Sequence, residues 1–169
     1  DEARPNALGA SDYLWQWGQF LDHDLDLTGG AEPAEPAHVP VPTGDAWFDP
    51  LATGAAEIEL NRSVYDPTTG TATAREQLDE ITAWIDASNV YGSDADRARA
   101  LRANDGSGRL RTSAGELLPF NTDGLPNAGG DDPSLFLAGD VRANEQAGLA
   151  AMHTLFVREH NRIVDELRA

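Results

Sequence analysis

Apolar residues near the C terminus form the pattern that most constrains the fold. They recur at spacings of three, four or seven over more than 20 residues, and they are Leu149, Met152, Phe156, Ile163 and Leu167. An α-helix brings residues at these spacings to one face. The spacing therefore predicts a long amphipathic helix from about Asn144 to Ala169.

A second helix is predicted near the N terminus. Ser11 can cap it, and its apolar positions obey the same spacing rule at Leu14, Trp17, Leu21 and Leu25. Glycine and proline are frequent between the two helices, which predicts long loops at 29–56 and 121–133. Minor elements are predicted as a strand at 57–60, an ordered element from REQLDEITAW, a helix at 94–103 capped by Ser93 and a hairpin at 109–118. The pattern predicts a mainly α fold with long loops and little β structure.

The composition narrows the classes of function. The chain has 169 residues, a formal net charge of −17 and no lysine, and a field of that sign repels nucleic acid and anionic membranes. It suits either cation binding or a solvated acidic surface. The absence of cysteine excludes disulfides, thiolate metal sites and thiol nucleophiles. No apolar run approaches the roughly 20 residues of a membrane span.

The segment WQWGQFLDHDLDLT, residues 15–28, is the first candidate for chemistry. Helical geometry places Gln19, Asp22 and His23 on one face, with Asp24 pointing elsewhere. A histidine with a pKa of about 6.5 can take a proton from a peroxide and return it. Two alternatives stay open: a buried histidine that a carboxylate satisfies, and a metal phosphohydrolase of the His-Asp type, for which the other histidines are poorly placed.

The segment TAWIDAS, residues 82–88, is a candidate cation site. In an extended backbone, Thr82, Asp86 and Ser88 would project their oxygens from one side. The carbonyls of Thr82 and Trp84 can join them, and Asp24 would complete an all-oxygen shell of the kind that calcium prefers. The alternative is an ordinary edge strand that ends in a turn.

The segment GDVRANEQ, residues 139–146, is the third candidate. Arg142 and Glu145 are three residues apart, so both can reach one site on a helix. A permanent guanidinium beside an acid-base histidine would polarise a peroxide. The alternative is an ion pair in the first turn of the predicted C-terminal helix.

Taken together, these segments resemble a known family. WQWGQFLDHDLDLT, ITAWIDASNVYGS, LFLAGDVRANEQ and MHTLFVREHNR occur here in the order seen in the animal-type haem peroxidases of the peroxidase-cyclooxygenase superfamily. The resemblance runs from about Ala10 to the last residue. Because cysteine and lysine are absent, the chain resembles a bacterial member.

The resemblance implies a role for each candidate residue. His23 would be the distal histidine, Gln19 would hydrogen-bond beside it, and Arg142 would be the distal arginine. Asp22 and Glu145 would form ester links to haem b in the manner of the covalently linked members. The implied calcium ligands are Asp24, Thr82, Trp84 through its carbonyl, Asp86 and Ser88.

Two departures from the family pattern matter. Gln146 stands where the members with a sulfonium link to haem carry methionine, which argues against chloride oxidation. The proximal histidine of the family lies well downstream of the GDVR segment, and the chain stops before it. His153 and His160 match positions that are not the axial ligand and are interpreted as packing or hydrogen-bonding residues. The resemblance thus implies that residues 1–169 are the distal part of one catalytic domain with a partial animal haem-peroxidase fold.

The activity that the resemblance implies is that of a secreted, extracellular haem peroxidase. Such an enzyme reduces hydrogen peroxide and oxidises small anions or phenolic donors. The chain alone is expected to be nearly inactive until another segment supplies the proximal histidine. Two alternatives stay open: a non-enzymatic, calcium-stabilised adhesion or matrix module, and a fatty-acid dioxygenase of the same superfamily.

Overall fold

The computed structural model describes residues 6–169 and is mainly helical. Its helices are α1 (Tyr13–Asp22), α2 (Ser88–Tyr91), α3 (Ala95–Ala100) and α4 (Ala147–Arg168), and its strands are β1 (Val39–Pro40) and β2 (Glu57–Ile58). The chain forms two compact units. One comprises Asp1–Asp26 with Ile81–Ala169, and the other is Leu27–Glu80. The predicted fold class, mainly α with little β structure, is confirmed.

The two principal helices lie close to their predicted positions. Helix α4 begins at Ala147, because the side chain of Gln146 accepts a hydrogen bond of 2.8 Å from the backbone N–H of Gly148. Helix α1 ends at Asp22, three residues before the predicted Leu25. The prediction that Ser11 caps α1 is wrong. The N-cap residue is Asp12, without a side-chain bond, and Ser11 contributes only its backbone carbonyl to Leu14.

The hydrophobic core of the first unit lies between α1, α2 and α4. Leu118, Leu137 and Leu149 are fully buried within it. Phe20 of α1 stacks on Phe156 of α4 with their ring centroids 4.7 Å apart, an arrangement that adds to the stability gained by burying the rings. This packing fixes the C-terminal end of α1 against α4.

The short helices differ from their predicted positions. Helix α2 was not predicted, and α3 is shorter than the predicted helix at 94–103. The cap of α3 is Asp94 rather than Ser93, because Oδ1 of Asp94 accepts hydrogen bonds from the backbone N–H groups of Asp96 at 2.9 Å and Arg97 at 2.8 Å. The predicted hairpin at 109–118 is reduced to a single bridge between Ser113 and Leu117.

The second unit is a loop-rich segment with one two-residue ladder. Strands β1 and β2 pair antiparallel, with Val39 opposite Ile58. Buried Asp49 fixes the loop between them, since it accepts bonds from the hydroxyl and N–H of Thr53 and from the N–H groups of Gly54 and Gly44. These bonds, chiefly that of the Thr53 hydroxyl, hold the pKa of Asp49 well below its usual range. The long loop predicted at 29–56 is therefore irregular in secondary structure but ordered by a buried carboxylate.

The predicted secondary structure of residues 57–84 is confirmed only in small part. The predicted strand at 57–60 is confirmed only over Glu57–Ile58. The REQLDEITAW segment contains no helix or strand, only a bridge between Tyr65 and Gln77. Across residues 6–169, the structure has no helix long and apolar enough to cross a membrane.

Candidate active site

The C-terminal end of α1 presents two adjacent buried side chains to different surroundings. His23 lies with its Nδ1 3.6 Å from Oδ1 of Asp140, and both side chains are almost fully buried. Asp24 faces the start of α2 instead, where its carboxylate accepts bonds from the N–H of Ala87 at 2.9 Å and the hydroxyl of Ser88 at 3.1 Å. Two consecutive residues therefore belong to different sites, His23 to a histidine site and Asp24 to a carboxylate-hydroxyl site.

Arg142 lies beside His23 and is held firmly. Its backbone N–H, Nε and Nη2 donate to the carboxylate of Asp140 at 2.7, 3.0 and 2.8 Å. Nη2 also donates to the backbone carbonyl of Asp26 at 2.8 Å, four residues beyond the end of α1, and lies 3.4 Å from the carbonyl of His23. Within residues 6–169, Nη1 donates no hydrogen bond, so part of the guanidinium stays available to a ligand.

Gln19 and Glu145 are joined on the same side of α1. Nε2 of Gln19 donates to the carboxylate of Glu145 at 2.9 Å, and its Oε1 accepts from Nε2 of Gln146 at 3.0 Å. The Glu145 carboxylate is exposed, as is Asp22 one residue before His23. The ion pair between Arg142 and Glu145 that remained an alternative in the sequence is not formed in this structure, because each group has another partner.

Burial and the neighbouring charges together set the protonation of His23. Burial is the main cause that lowers the pKa of His23 from its ordinary 6.5, and the charge of Arg142 acts in the same direction. Three carboxylates oppose the shift, those of Asp140, Glu145 and Asp22. The balance keeps His23 neutral at pH 7, the state in which an imidazole accepts a proton.

Four side chains form an oxygen cluster beside α2. Oγ1 of Thr82 lies 3.1 Å from Oδ1 of Asp86 and 3.3 Å from Oγ of Ser88. Oγ of Ser88 lies in turn 3.1 Å from Oδ1 of Asp24. These separations are hydrogen-bond distances. They are also close to the roughly 3 Å that separates neighbouring ligands of a cation held at about 2.4 Å.

The backbone of this segment differs from the prediction. Residues 82–88 are not extended, because Ala83 and Ala87 adopt left-handed conformations with φ of 56° and 62°. The loop folds back on itself and brings the oxygens together by curvature rather than by strand alternation. Trp84 is 72% exposed, and because an indole offers no oxygen, only the backbone carbonyl of this residue could contribute. Among the described residues, no group of three or more His, Cys, Asp or Glu side chains could hold a metal ion.

Asp140 and Asn89 are two buried polar residues near His23 that the sequence did not reveal. Asn89 donates from its side chain to the carbonyl of Phe20 at 2.7 Å and from its N–H to Asp24 at 3.1 Å. Its own carbonyl accepts the N–H of Asp140 at 2.9 Å. The carboxylate two residues before Arg142 was the available signal for Asp140, since that spacing permits the bond to the backbone N–H that is observed.

The two histidines of α4 are in contact with other groups of the protein, one through hydrogen bonds and the other through packing. His160 is paired at both ring nitrogens, with the Tyr91 hydroxyl at 3.1 Å and the Gly108 carbonyl at 3.0 Å. His153 is fully buried against Phe20, with ring centroids 5.0 Å apart. Within residues 6–169 neither of its nitrogens makes a hydrogen bond of normal geometry, and its polar contact with the backbone of Asn89 only partly opposes the effect of burial on its pKa. Burial lowers the pKa of His153 to about 4.

Replacing His153 with leucine is expected to stabilise the protein. The substitution removes two buried polar atoms without hydrogen bonds of normal geometry, which should add about 1–2 kcal/mol to the free energy of unfolding at pH 7. The folded-state pKa of His153, about 4, lies below the ordinary 6.5, so between these values the unfolded chain binds a proton that the folded protein does not. The parent protein should therefore lose stability as the pH falls from 6.5 toward 4. The advantage of H153L should therefore widen over that range in chemical denaturation.

The matched control is the other histidine of α4. Since His160 has a partner at each ring nitrogen, H160L should lower the free energy of unfolding by about 1 kcal/mol. If both leucine variants were destabilised, the absence of normal hydrogen bonds around His153 would not determine its effect on stability.

The chain matches the animal haem peroxidase family over residues 1–169 and belongs to that family. Peroxidasin homolog pxn-1 of Caenorhabditis elegans is 38% identical to it over 197 residues, covering 94% of this chain and 15% of that protein. The chain thus spans a small part of the length of this relative. The family predicted from the four sequence segments is confirmed.

Solved structures show the same relationship. Peroxidase A from Dictyostelium discoideum superposes with a TM-score of 0.80 at 26% identity, covering 98% of this chain and 35% of that chain. Fatty acid alpha-dioxygenase from Arabidopsis thaliana superposes with a TM-score of 0.73 at 23% identity, covering 99% and 24%. The second likeness shows the fold alone. Both neighbours contain considerably more chain than the part that matches.

Proposed function

We propose that this chain carries the distal half-site of a haem peroxidase that reduces hydrogen peroxide and oxidises small anions or phenolic donors. The observation that supports the proposal is the grouping of Gln19, His23 and Arg142 at one end of α1. A buried neutral imidazole beside a fixed guanidinium is the pair that proton transfer with charge stabilisation requires.

The residues of the site suit a haem group. Asp22 and Glu145 are exposed carboxylates on the side of α1 where Gln19 lies, and Glu145 is already oriented by its bond to Gln19. We propose that these two carboxylates hold haem b through ester links. When bound, the haem iron supplies the redox chemistry that no side chain here can provide.

The protein's own contribution is proton transfer and charge stabilisation. His23 takes a proton from hydrogen peroxide at Nε2 and returns it to the departing oxygen. Arg142 stabilises the negative charge on that oxygen, since its Nη1 retains donors while the remaining nitrogens are anchored to Asp140. Gln19 orients water or a small anion next to the histidine. A scaffold without an enzymatic role would not require a buried histidine beside a buried acid and an anchored arginine.

A peroxidase is favoured over a dioxygenase because of the two exposed carboxylates. Asp22 and Glu145 suit the ester links of a peroxidase, whereas a dioxygenase does not require them. The dioxygenase neighbour shares the fold at 23% identity, which does not extend to its substrate.

We propose that calcium binds the oxygens of Asp24, Thr82, Asp86 and Ser88 together with the carbonyl of Trp84. Because Asp24 adjoins His23, the cation would fix the end of α1 and with it the direction of the imidazole. The carboxylate of Asp24 already joins these elements, since it accepts hydrogen bonds from the N–H groups of Ala87 and Asn89.

The axial iron ligand is proposed to come from a segment other than this chain. His160 uses both ring nitrogens in hydrogen bonds, and His153 is sealed beneath Phe20. We therefore propose that residues 1–169 form the distal part of one catalytic domain, whose proximal part supplies the iron ligand. We further propose a secreted, extracellular location for the complete protein.

The test is haem reconstitution of the chain and of the full-length protein with calcium present. Histidine-ligated haem and peroxide-dependent oxidation of iodide or guaiacol are expected only in the full-length protein. In that protein, H23Q should lower the peroxide-dependent rate by about 10²–10⁴-fold because the proton carrier is lost.

The control is H38Q, which removes an exposed histidine from the second unit and should leave the rate unchanged. Retained activity in H23Q would contradict the assignment of His23. The lack of haem uptake by the full-length protein would contradict the proposed function as a whole.

A further inference from the structure

Asp140 is a buried carboxylate beside His23, and its oxygens have several potential partners. Its side chain is 2% exposed. Oδ1 accepts the backbone N–H and Nε–H of Arg142, and Oδ2 accepts Nη2–H. A buried carboxylate is costly unless its lone pairs are satisfied, and three bonds from a single cationic residue meet most of this need.

The backbone holds Asp140 in place independently of Arg142. Its N–H donates to the carbonyl of Asn89 at 2.9 Å, and Asn89 is itself bonded to Phe20 and Asp24. Gly139 packs against the same backbone so closely that an added Cβ would lie 2.5 Å from the carbonyl of Asn89. The carboxylate therefore approaches α1 at a position fixed by three chain segments.

The imidazole of His23 lacks a partner at the nitrogen that faces this carboxylate. Nδ1 of His23 is buried without a hydrogen bond, and Oδ1 of Asp140 lies 3.6 Å away. That separation is longer than a hydrogen bond, but a small rotation of the imidazole would close it. Catalytic hydrogen bonds are often long before the ligand binds. Because an ionised carboxylate only accepts hydrogen bonds, Asp140 favours the tautomer of His23 in which Nδ1 carries the proton.

We propose that Asp140 is the positioning residue of this site, which fixes His23 as the tautomer protonated on Nδ1 and holds the guanidinium of Arg142 against the end of α1. The consequence is that Nε2 of His23 carries the lone pair and faces the peroxide. The inference rests on the proposed function, because the tautomer matters for proton transfer with peroxide. The tautomer itself is a property of the protein that exists without haem or peroxide.

The tautomer can be measured directly. With ¹⁵N-labelled histidine at about pH 8, where a histidine is neutral, the chemical shifts of the ring nitrogens distinguish Nδ1–H from Nε2–H. Free histidine prefers Nε2–H, and Nδ1 of His38 accepts the backbone N–H of Leu60 at 3.2 Å, so His38 should carry its proton on Nε2 and serves as an internal reference. We expect His23 to show the opposite preference by roughly tenfold, the size that a charge-assisted hydrogen bond supports.

The substitution D140N tests whether Asp140 causes this preference. Its single amide oxygen would have to serve both Arg142 and His23, so the proportion of Nδ1–H should fall several-fold and the Arg142 side-chain N–H protons should exchange faster with water. The control D131N removes the same charge from an exposed position and should change neither signal. If D140N does not fold, D140E keeps the carboxylate and should retain the Nδ1–H tautomer.

Two results would overturn the inference. One is a parent protein in which His23 carries its proton on Nε2, and the other is an unchanged tautomer in folded D140N. Because the measurement needs no haem, it is separate from the reconstitution assay. A protein that fails to bind haem but shows the Nδ1–H tautomer would contradict the proposed function and leave the role of Asp140 intact.

Discussion

Replacing Gly139 with alanine is expected to destabilise the protein by about 3 kcal/mol, because no space exists for a Cβ at that position. The added atom would lie 2.5 Å from the carbonyl carbon and oxygen of Asn89 and from the carbonyl oxygen of Ser88. These are backbone atoms of α2 and cannot move away as a flexible side chain would. In thermal unfolding of a chain of this size, the loss corresponds to a fall in Tm of roughly 6–12 °C.

The control for G139A is another glycine with open surroundings. Gly18 lies within α1, and an added Cβ would meet nothing within 4 Å. Because alanine favours the helix, G18A should raise the free energy of unfolding by about 0.5–1 kcal/mol. Equal stability of G139A and the parent protein would show that the GDVR loop does not pack against α2 in solution.

Periodicity was sufficient to predict the two principal helices. The apolar spacing of α4 predicted its course over most of its length, because a regular helix repeats its apolar face along the sequence. The ends were less predictable. Ser93 and Asp94 are both good cap residues, and only the bonds to Asp96 and Arg97 decide between them.

The loop at 82–88 shows why the site was predicted only in part. Its oxygen-bearing residues were predicted as a group, but its shape depends on left-handed backbone at Ala83 and Ala87. Alanine gives no sequence signal for that conformation, which glycine or asparagine would. The loop is held by tertiary bonds from Asp24, and such bonds are not visible in local sequence.

The surroundings of His23 depend on contacts distant in sequence. The motif residues predicted a site at the end of α1, but the anchoring of Arg142 by Asp140 was not foreseen. The sequence identified Arg142 as a charged residue of the site. The structure adds the orientation of its guanidinium, which hydrogen bonds to Asp140 fix on one side.

Removing calcium is expected to lower the Tm of the protein by roughly 5–11 °C. At a calcium concentration of about 100 times Kd, binding adds about 2.7 kcal/mol to stability, and each kcal/mol changes the Tm of a chain this size by about 2–4 °C. The physical reason is that the cation would join Asp24 at the end of α1 to the loop that carries Asp86. The measurement is thermal unfolding in excess calcium and again after chelation.

The substitution D86N identifies the source of this effect. Asparagine retains an oxygen that can accept the N–H of Ser88, a bond of 3.0 Å in the parent, so the fold should persist while one of the two carboxylates of the cluster is lost. Chelation should then lower the Tm by only a small fraction of the parent value. The control D12N removes an exposed carboxylate outside the cluster and should respond to chelation as the parent does. An equal response of D86N and the parent would show that calcium does not bind at Asp86. The position of His23 would then be stabilised by the hydrogen bonds of Asp24 alone.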